Sequence, residues 1–220
     1  MKSGPPFFIM QKKDFIISYI LGWIIATFIF IIRFSLLNEL PNNFIILINK
    51  FIIFGVVPIL CTVSIYFAFK IGKNWLTVKQ FSKYALVGCS NFTIDFGILN
   101  ILIFMTDKDK GIYFTIFKAI SFSLAIINSY MWNKFWSFES RELSKAGRQF
   151  ITFVVVALVG LLINVILASV IVNTIHVDTV SSRIWANIGA MISGFAVIGW
   201  NFTGYKFIVL RKKENKPASN

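Results

Sequence analysis

The sequence predicts an all-α membrane protein of six transmembrane helices, and three observations carry that reading. Hydrophobic residues make up 57% of the 220-residue chain against 14% charged, a balance that a water-exposed surface does not tolerate. The apolar residues fall into six runs, each long enough to supply the about 20 residues that a helix needs to cross the hydrocarbon. The basic residues behind the net charge of +13 sit mostly in the short gaps between those runs.

The first run, 15–37, is too long for a signal-peptide core and lacks a small-residue cleavage site, so it is expected to remain as an anchor, flanked by Lys12 and Lys13. The second is 44–69. Arg33 and Lys50 lie near the outer ends of these two spans, where long side chains can snorkel to the interface. The third to sixth spans are 84–105, 112–133, 150–173 and 184–209. Backbone groups in lipid must pair internally, so each run is helical. Lys and Arg concentrate in the tails and in loops 70–83 and 134–149, whereas Glu39, Asp107, Asp109 and Asp178 fall in the other loops. The positive-inside rule therefore puts both termini in the cytoplasm of a multi-pass cytoplasmic-membrane protein. The basic rim is expected to set orientation and touch anionic membrane lipid, with a substrate-phosphate role for part of it as the alternative; it is scattered between spans, and no nucleic-acid partner is expected.

The loops are too short for a soluble catalytic domain. None shows a phosphate-cradling glycine run, metal-ligand spacing or a nucleophile-base pair, so no enzyme activity, metal or cofactor is expected. Cys61 and Cys89 lie within apolar runs and read as small hydrophobes. His176, the only histidine, reads as an exposed loop residue.

The chain also aligns with itself. Gln80-Phe81 opens the span KYALVGCSNFTIDFGIL, and Gln149-Phe150 opens TFVVVALVGLLINVILA; in that register Asp95 falls on Asn164. In the helices that follow, Asn128 precedes Trp132-Asn133 as Asn201 precedes Tyr205-Lys206. The pattern predicts a parallel repeat of two helices plus two helices over about 80–209, after an extra two-helix unit.

A charge inside lipid costs several kcal/mol, so the polar residues within spans call for partners. Asp95 lies near mid-span, too deep for its short side chain to snorkel, and is expected to face protein or water. Gly88, Asn91 and Asp95 share one helical face, as do Lys118, Ser121, Ala125, Asn128 and Trp132. An ion pair between Asp95 and Lys118 is one outcome of two such faces meeting. Gly160, Asn164 and Ala168 form a third ridge, and Ala186, Ala190 and Gly194 have the small-xxx-small spacing that lets helices approach closely. Such a set either glues helices together or binds an amphiphile with a sugar-like head, because carboxylates and amides bond hydroxyls while lysines and indole N–H groups hold phosphate.

At these residues the chain resembles the GtrA-like family of small membrane proteins associated with polyprenyl-phosphate-linked sugars. The resemblance is carried by QFSKYALVGCSNFTIDFGIL at 80–99 and by NSYMWNKFWSF at 128–138, whose Asn133, Lys134, Trp136 and Phe138 match an N-R/K-x-W-x-F ending. NFTGYKFIV at 201–209 is a degenerate second copy, without the Trp and the final Phe. The resemblance implies a GtrA-like four-helix domain over 76–210, preceded by an additional unit at 1–75 and followed by a basic tail at 211–220. It also implies passage of a polyprenyl-phosphate monosaccharide to the outer leaflet, for use by a glycosyltransferase. Asp95 would then anchor the head group at mid-membrane, and Asn128, Asn133, Lys134 and Trp136 would recognise it on the cytoplasmic side, with Asn91, Lys118, Trp132, Asn164 and Asn201 completing the lining. Two rival readings remain: a membrane scaffold for that glycosyltransferase, and a proton-coupled small-metabolite transporter using Asp95 with Lys118. Four short helices make a thin wall around a sugar phosphate, so a homo-oligomer is expected.

Overall fold

The computed structural model describes residues 10–36, 50, 52–72, 75–137, 143–175 and 179–204. Among them every regular element is helical, in six α-helices. These are α1 (Lys12–Leu36), α2 (Val57–Ile71, entered through a π-helical turn at Ile52–Val56), α3 (Leu76–Thr106), α4 (Gly111–Trp132, running on into a π-helical turn at Asn133–Ser137), α5 (Leu143–Thr174) and α6 (Ser182–Gly204). Glu39, His176, Asp178, Phe138, the end of the second copy from Tyr205 onward and the tail at 211–220 lie outside the described residues.

Among the described residues, five helices are long and apolar enough to cross a membrane: Lys12–Leu36, Ile52–Ile71, Val78–Thr106, Gly111–Ser137 and Val155–Thr174. The expected sixth, α6, has the length at 23 residues, but Arg183, Asn187 and Asn201 dilute its apolar run. Outward-facing side chains such as Ile59, Leu124, Leu162 and Phe195 are exposed, as befits helices bathed in lipid.

The helices pack in a chain of neighbours: α2 on α1, α1 on α3, α3 on α4, α4 on α5 and α5 on α6, with α6 also touching α3. Two apolar cores result. One joins α3 to α6 around Phe96, Leu99, Phe114, Ala168, Ala186 and Ala190. The other joins α1, α2 and α3 around Leu21, Ile65, Phe69 and Val87, and takes in Trp136 from the end of α4. Gly22 makes the α1–α2 contact possible, because a Cβ there would collide with the backbone of Pro58.

One expectation is corrected here. The basic stretch 70–83 is only partly a loop: α3 starts at Leu76 and, at 31 residues, is about 46 Å long at 1.5 Å per residue, well beyond the hydrocarbon thickness. Lys79 and Lys83 ride its first turns and are buried in the protein. They are held inward by the ring of Phe69, with Nζ to centroid distances of 5.2 and 5.6 Å.

Candidate functional site

The predicted polar faces of α3 and α4 do meet. Lys118 Nζ lies 2.5 Å from Asp95 Oδ2, and the Ser121 hydroxyl donates to Asp95 Oδ1 at 2.6 Å. Lys118 and Ser121 are wholly buried and Asp95 is 4% exposed, so the carboxylate spends both oxygens inside the protein. The Phe96 ring lies 5.3 Å from the ammonium, adding a cation–π contact in a place without water. As the structure stands, Asp95 binds helix to helix.

Toward the end of the bundle where α3 begins and α4 ends, here the basic end, a second polar group follows. Trp132 Nε1 donates to Asn128 Oδ1 at 3.0 Å, and Asn128 Nδ2 donates to Asn91 Oδ1 at 2.6 Å. The i, i+4 spacing in α4 stacks Trp132 over Asn128, and the same face meets α3.

The expected recognition group of Asn128, Asn133, Lys134 and Trp136 is taken apart by the structure. Consecutive positions of a helical turn point in different directions, and here each finds a different neighbour. Asn128 turns to Asn91. Asn133 is buried, and its Nδ2 donates to Ser129 Oγ at 3.1 Å. Lys134 is exposed beside the rings of Tyr130 and Phe135. Trp136, 1% exposed, donates its indole N–H to Asp14 Oδ1 at 2.9 Å.

A cavity of about 60 Å³ opens at the basic end between α3, α4, α5 and α6. Tyr84, Ser129, Gly160 and Asn201 are among its walls, so hydroxyl and amide groups from α3, α4 and α6 converge there, with Gly160 of α5 leaving them room. At that size it has room for a few water molecules. One turn above Gly160 on the same face sits Asn164, completely buried, with neither its Oδ1 nor its Nδ2 bonded. Among the described residues it is the side chain that leaves two polar atoms unpaired. The Thr115–Ser169 hydroxyl contact at 2.8 Å sets the register of α4 against α5. Stepping five residues along each helix from that contact places Asn164 level with Lys118 and Ser121, hence at the depth of Asp95.

Sequence reasoning missed two features. Asn100 and Asn187 form a reciprocal buried amide pair between α3 and α6, at 2.7 and 3.1 Å. Asp14, at the start of α1, is 2% exposed and pairs with Lys83 Nζ at 2.8 Å as well as with Trp136. A carboxylate followed by a 23-residue apolar run reads as a flank; only its burial signals a role.

The model of the family described as GtrA/DPMS, transmembrane domain, matches residues 83–210, which takes in α3 from Lys83, α4, α5 and α6. The chain belongs to the GtrA/DPMS transmembrane-domain family. GtrA-like proteins are generally non-catalytic membrane proteins, and the domain makes this chain a multi-pass membrane protein of glycosyl-carrier lipid pathways. No curated protein and no solved structure matches the chain. All ten residues singled out in the sequence lie within the GtrA/DPMS segment, whereas Asp14 lies outside it.

Proposed function

We propose that the protein moves a polyprenyl-phosphate-linked monosaccharide from the cytoplasmic to the outer leaflet of the cell membrane, where a glycosyltransferase consumes it in building a surface glycan. In this reading all six helices cross the bilayer, with both termini cytoplasmic. The pairs α3–α4 and α5–α6 are the two halves of a parallel repeat, a pairing supported by the close packing of each helix on its sequence neighbour.

The observation that carries the proposal is Asn164. A buried amide with no partner is disfavoured by about 1–3 kcal/mol, and an amide offers both donors and an acceptor, the set that adjacent sugar hydroxyls match. It stands one turn from a cavity walled by Tyr84, Ser129 and Asn201, on the route from the basic end to mid-membrane. Asn91, Asn128 and Trp132 flank that route with hydrogen bonds that can be exchanged for ligand ones. Asp95 and Lys118 hold α3 and α4 together at the depth of Asn164 and keep the region polar.

The test is reconstitution in liposomes with a polyprenyl-phosphate sugar. The protein should speed exchange of that lipid between leaflets, and Asn164→Leu should remove the acceleration while leaving the folded protein intact. No acceleration with any of several sugars sinks the proposal. The scaffold reading is favoured by one observation, the fully closed Asp95–Lys118–Ser121 cluster. It predicts co-purification of the glycosyltransferase and undiminished glycosylation in the Asn164→Leu strain.

A further inference from the structure

Asp14 is a buried charge that the proposed route does not use. Its Oδ2 accepts the backbone N–H of Gln11 at 3.0 Å, a helix-start bond that fixes the carboxylate on α1. Its Oδ1 accepts two bonds from across the interface, from Lys83 Nζ at 2.8 Å and Trp136 Nε1 at 2.9 Å. Both donors belong to the GtrA/DPMS segment, and the anion they hold comes from outside it. The donors are fixed by their own surroundings as well: Lys83 Nζ lies 5.5 Å from the Trp136 ring and 5.6 Å from the Phe69 ring. Lys79, one turn earlier on α3, rests over Phe69 too.

Two cationic side chains and an indole N–H, buried side by side where α3 begins and α4 ends, make a place for an anion. The basic end is also where the phosphate of a carrier lipid meets the protein if its tail stays in the bilayer. A carboxylate and a phosphoester are both acceptor-only anions that take charge-assisted bonds from the same donors. We propose that Lys83 and Trp136 form a binding subsite for a phosphoester group, and that Asp14 fills it as an internal substitute for that anion. The first turn of α1 is then a plug, displaced when the ligand arrives. The subsite deepens the proposed translocation and rests on it for the identity of the lipid, though not for the chemistry of the donors.

The deciding experiment uses the full-length wild-type protein in detergent and limited trypsin. Lys12 and Lys13 lie in the first turn of α1, and cleavage after them requires that turn to open, which releases Asp14. Dodecyl phosphate, inorganic phosphate and dodecyl maltoside are added in separate arms. Faster cleavage with dodecyl phosphate alone upholds the subsite and assigns it to a lipid phosphoester; faster cleavage with inorganic phosphate as well upholds it for the phosphate group itself. Unchanged or slower cleavage in both phosphate arms overturns it, as does equal acceleration by the maltoside. A second measurement is dodecyl phosphate binding followed by tryptophan fluorescence. Asp14→Asn should bind about tenfold tighter than wild type, and adding Lys83→Gln should remove the gain. Equal or weaker binding by Asp14→Asn makes Asp14 a strut and sinks the plug. Neither assay requires lipid to cross a bilayer, so a protein that fails as a flippase still answers both.

Discussion

Asp95 in α3 and Asn164 in α5 occupy the same place in the internal alignment and the same depth in the bundle, yet the fold treats them oppositely. Asp95 has both oxygens bonded, to Lys118 and Ser121. Asn164, equally buried, has neither amide atom bonded. A buried charge must be paired to be tolerated, whereas a neutral amide can be left open at modest cost. The contrast separates a clamp from a contact point, and it teaches that a mid-membrane carboxylate is not by its presence the group that meets a ligand.

The largest effect that can break this contrast is on the clamp. Lys118→Met leaves the Asp95 carboxylate buried without its cation and is expected to cost about 3–5 kcal/mol of stability, read as a large fall in the thermal midpoint in detergent. Replacing the whole cluster, Asp95→Leu with Lys118→Met and Ser121→Ala, should recover most of that loss; if the triple variant is as damaged as the single one, the cluster does more than hold two helices. At Asn164 the sign reverses. Asn164→Leu removes an unpaired amide and should stabilise the protein by about 1–3 kcal/mol in the same unfolding measurement, at the expense of lipid movement. Destabilisation there would show that Asn164 has a partner after all. The smallest effect is expected at the third buried polar position. A double-mutant cycle of Asn100→Ala and Asn187→Ala, the amide pair between α3 and α6, should give a coupling of about 0.6 kcal/mol, the average for polar contacts between membrane helices. A coupling as large as the loss from Lys118→Met would move the clamp from α3–α4 to α3–α6.

Most of the bundle was legible in the chain because lipid allows few solutions: runs of apolar residues become helices, and a charge within one must find a partner. The spacing of Asn91 and Asp95 on α3, and of Lys118, Ser121 and Asn128 on α4, placed these residues on facing sides before any contact was known. The helices of the N-terminal unit were legible, but their docking was not. Asp14 reads as part of a charged flank, and its partner Trp136 is 122 positions away. The directions of the family ending were not legible either, since Asn133, Lys134 and Trp136 are neighbours in sequence but point to Ser129, to the surface and to α1.

By itself, then, the amino-acid sequence determined which segments are helical, which faces of them are polar, and that the mid-membrane aspartate must face protein or water, because hydropathy and helical period act within one element. Only the tertiary structure decided which polar groups are spent on one another and which stay open. That choice depends on the register and approach of helices far apart in the chain, set by contacts such as Thr115–Ser169 and Gly22 against Pro58. It made Asp95 part of a clamp, left Asn164 unpaired, and carried Asp14 against the start of α3 and the end of α4.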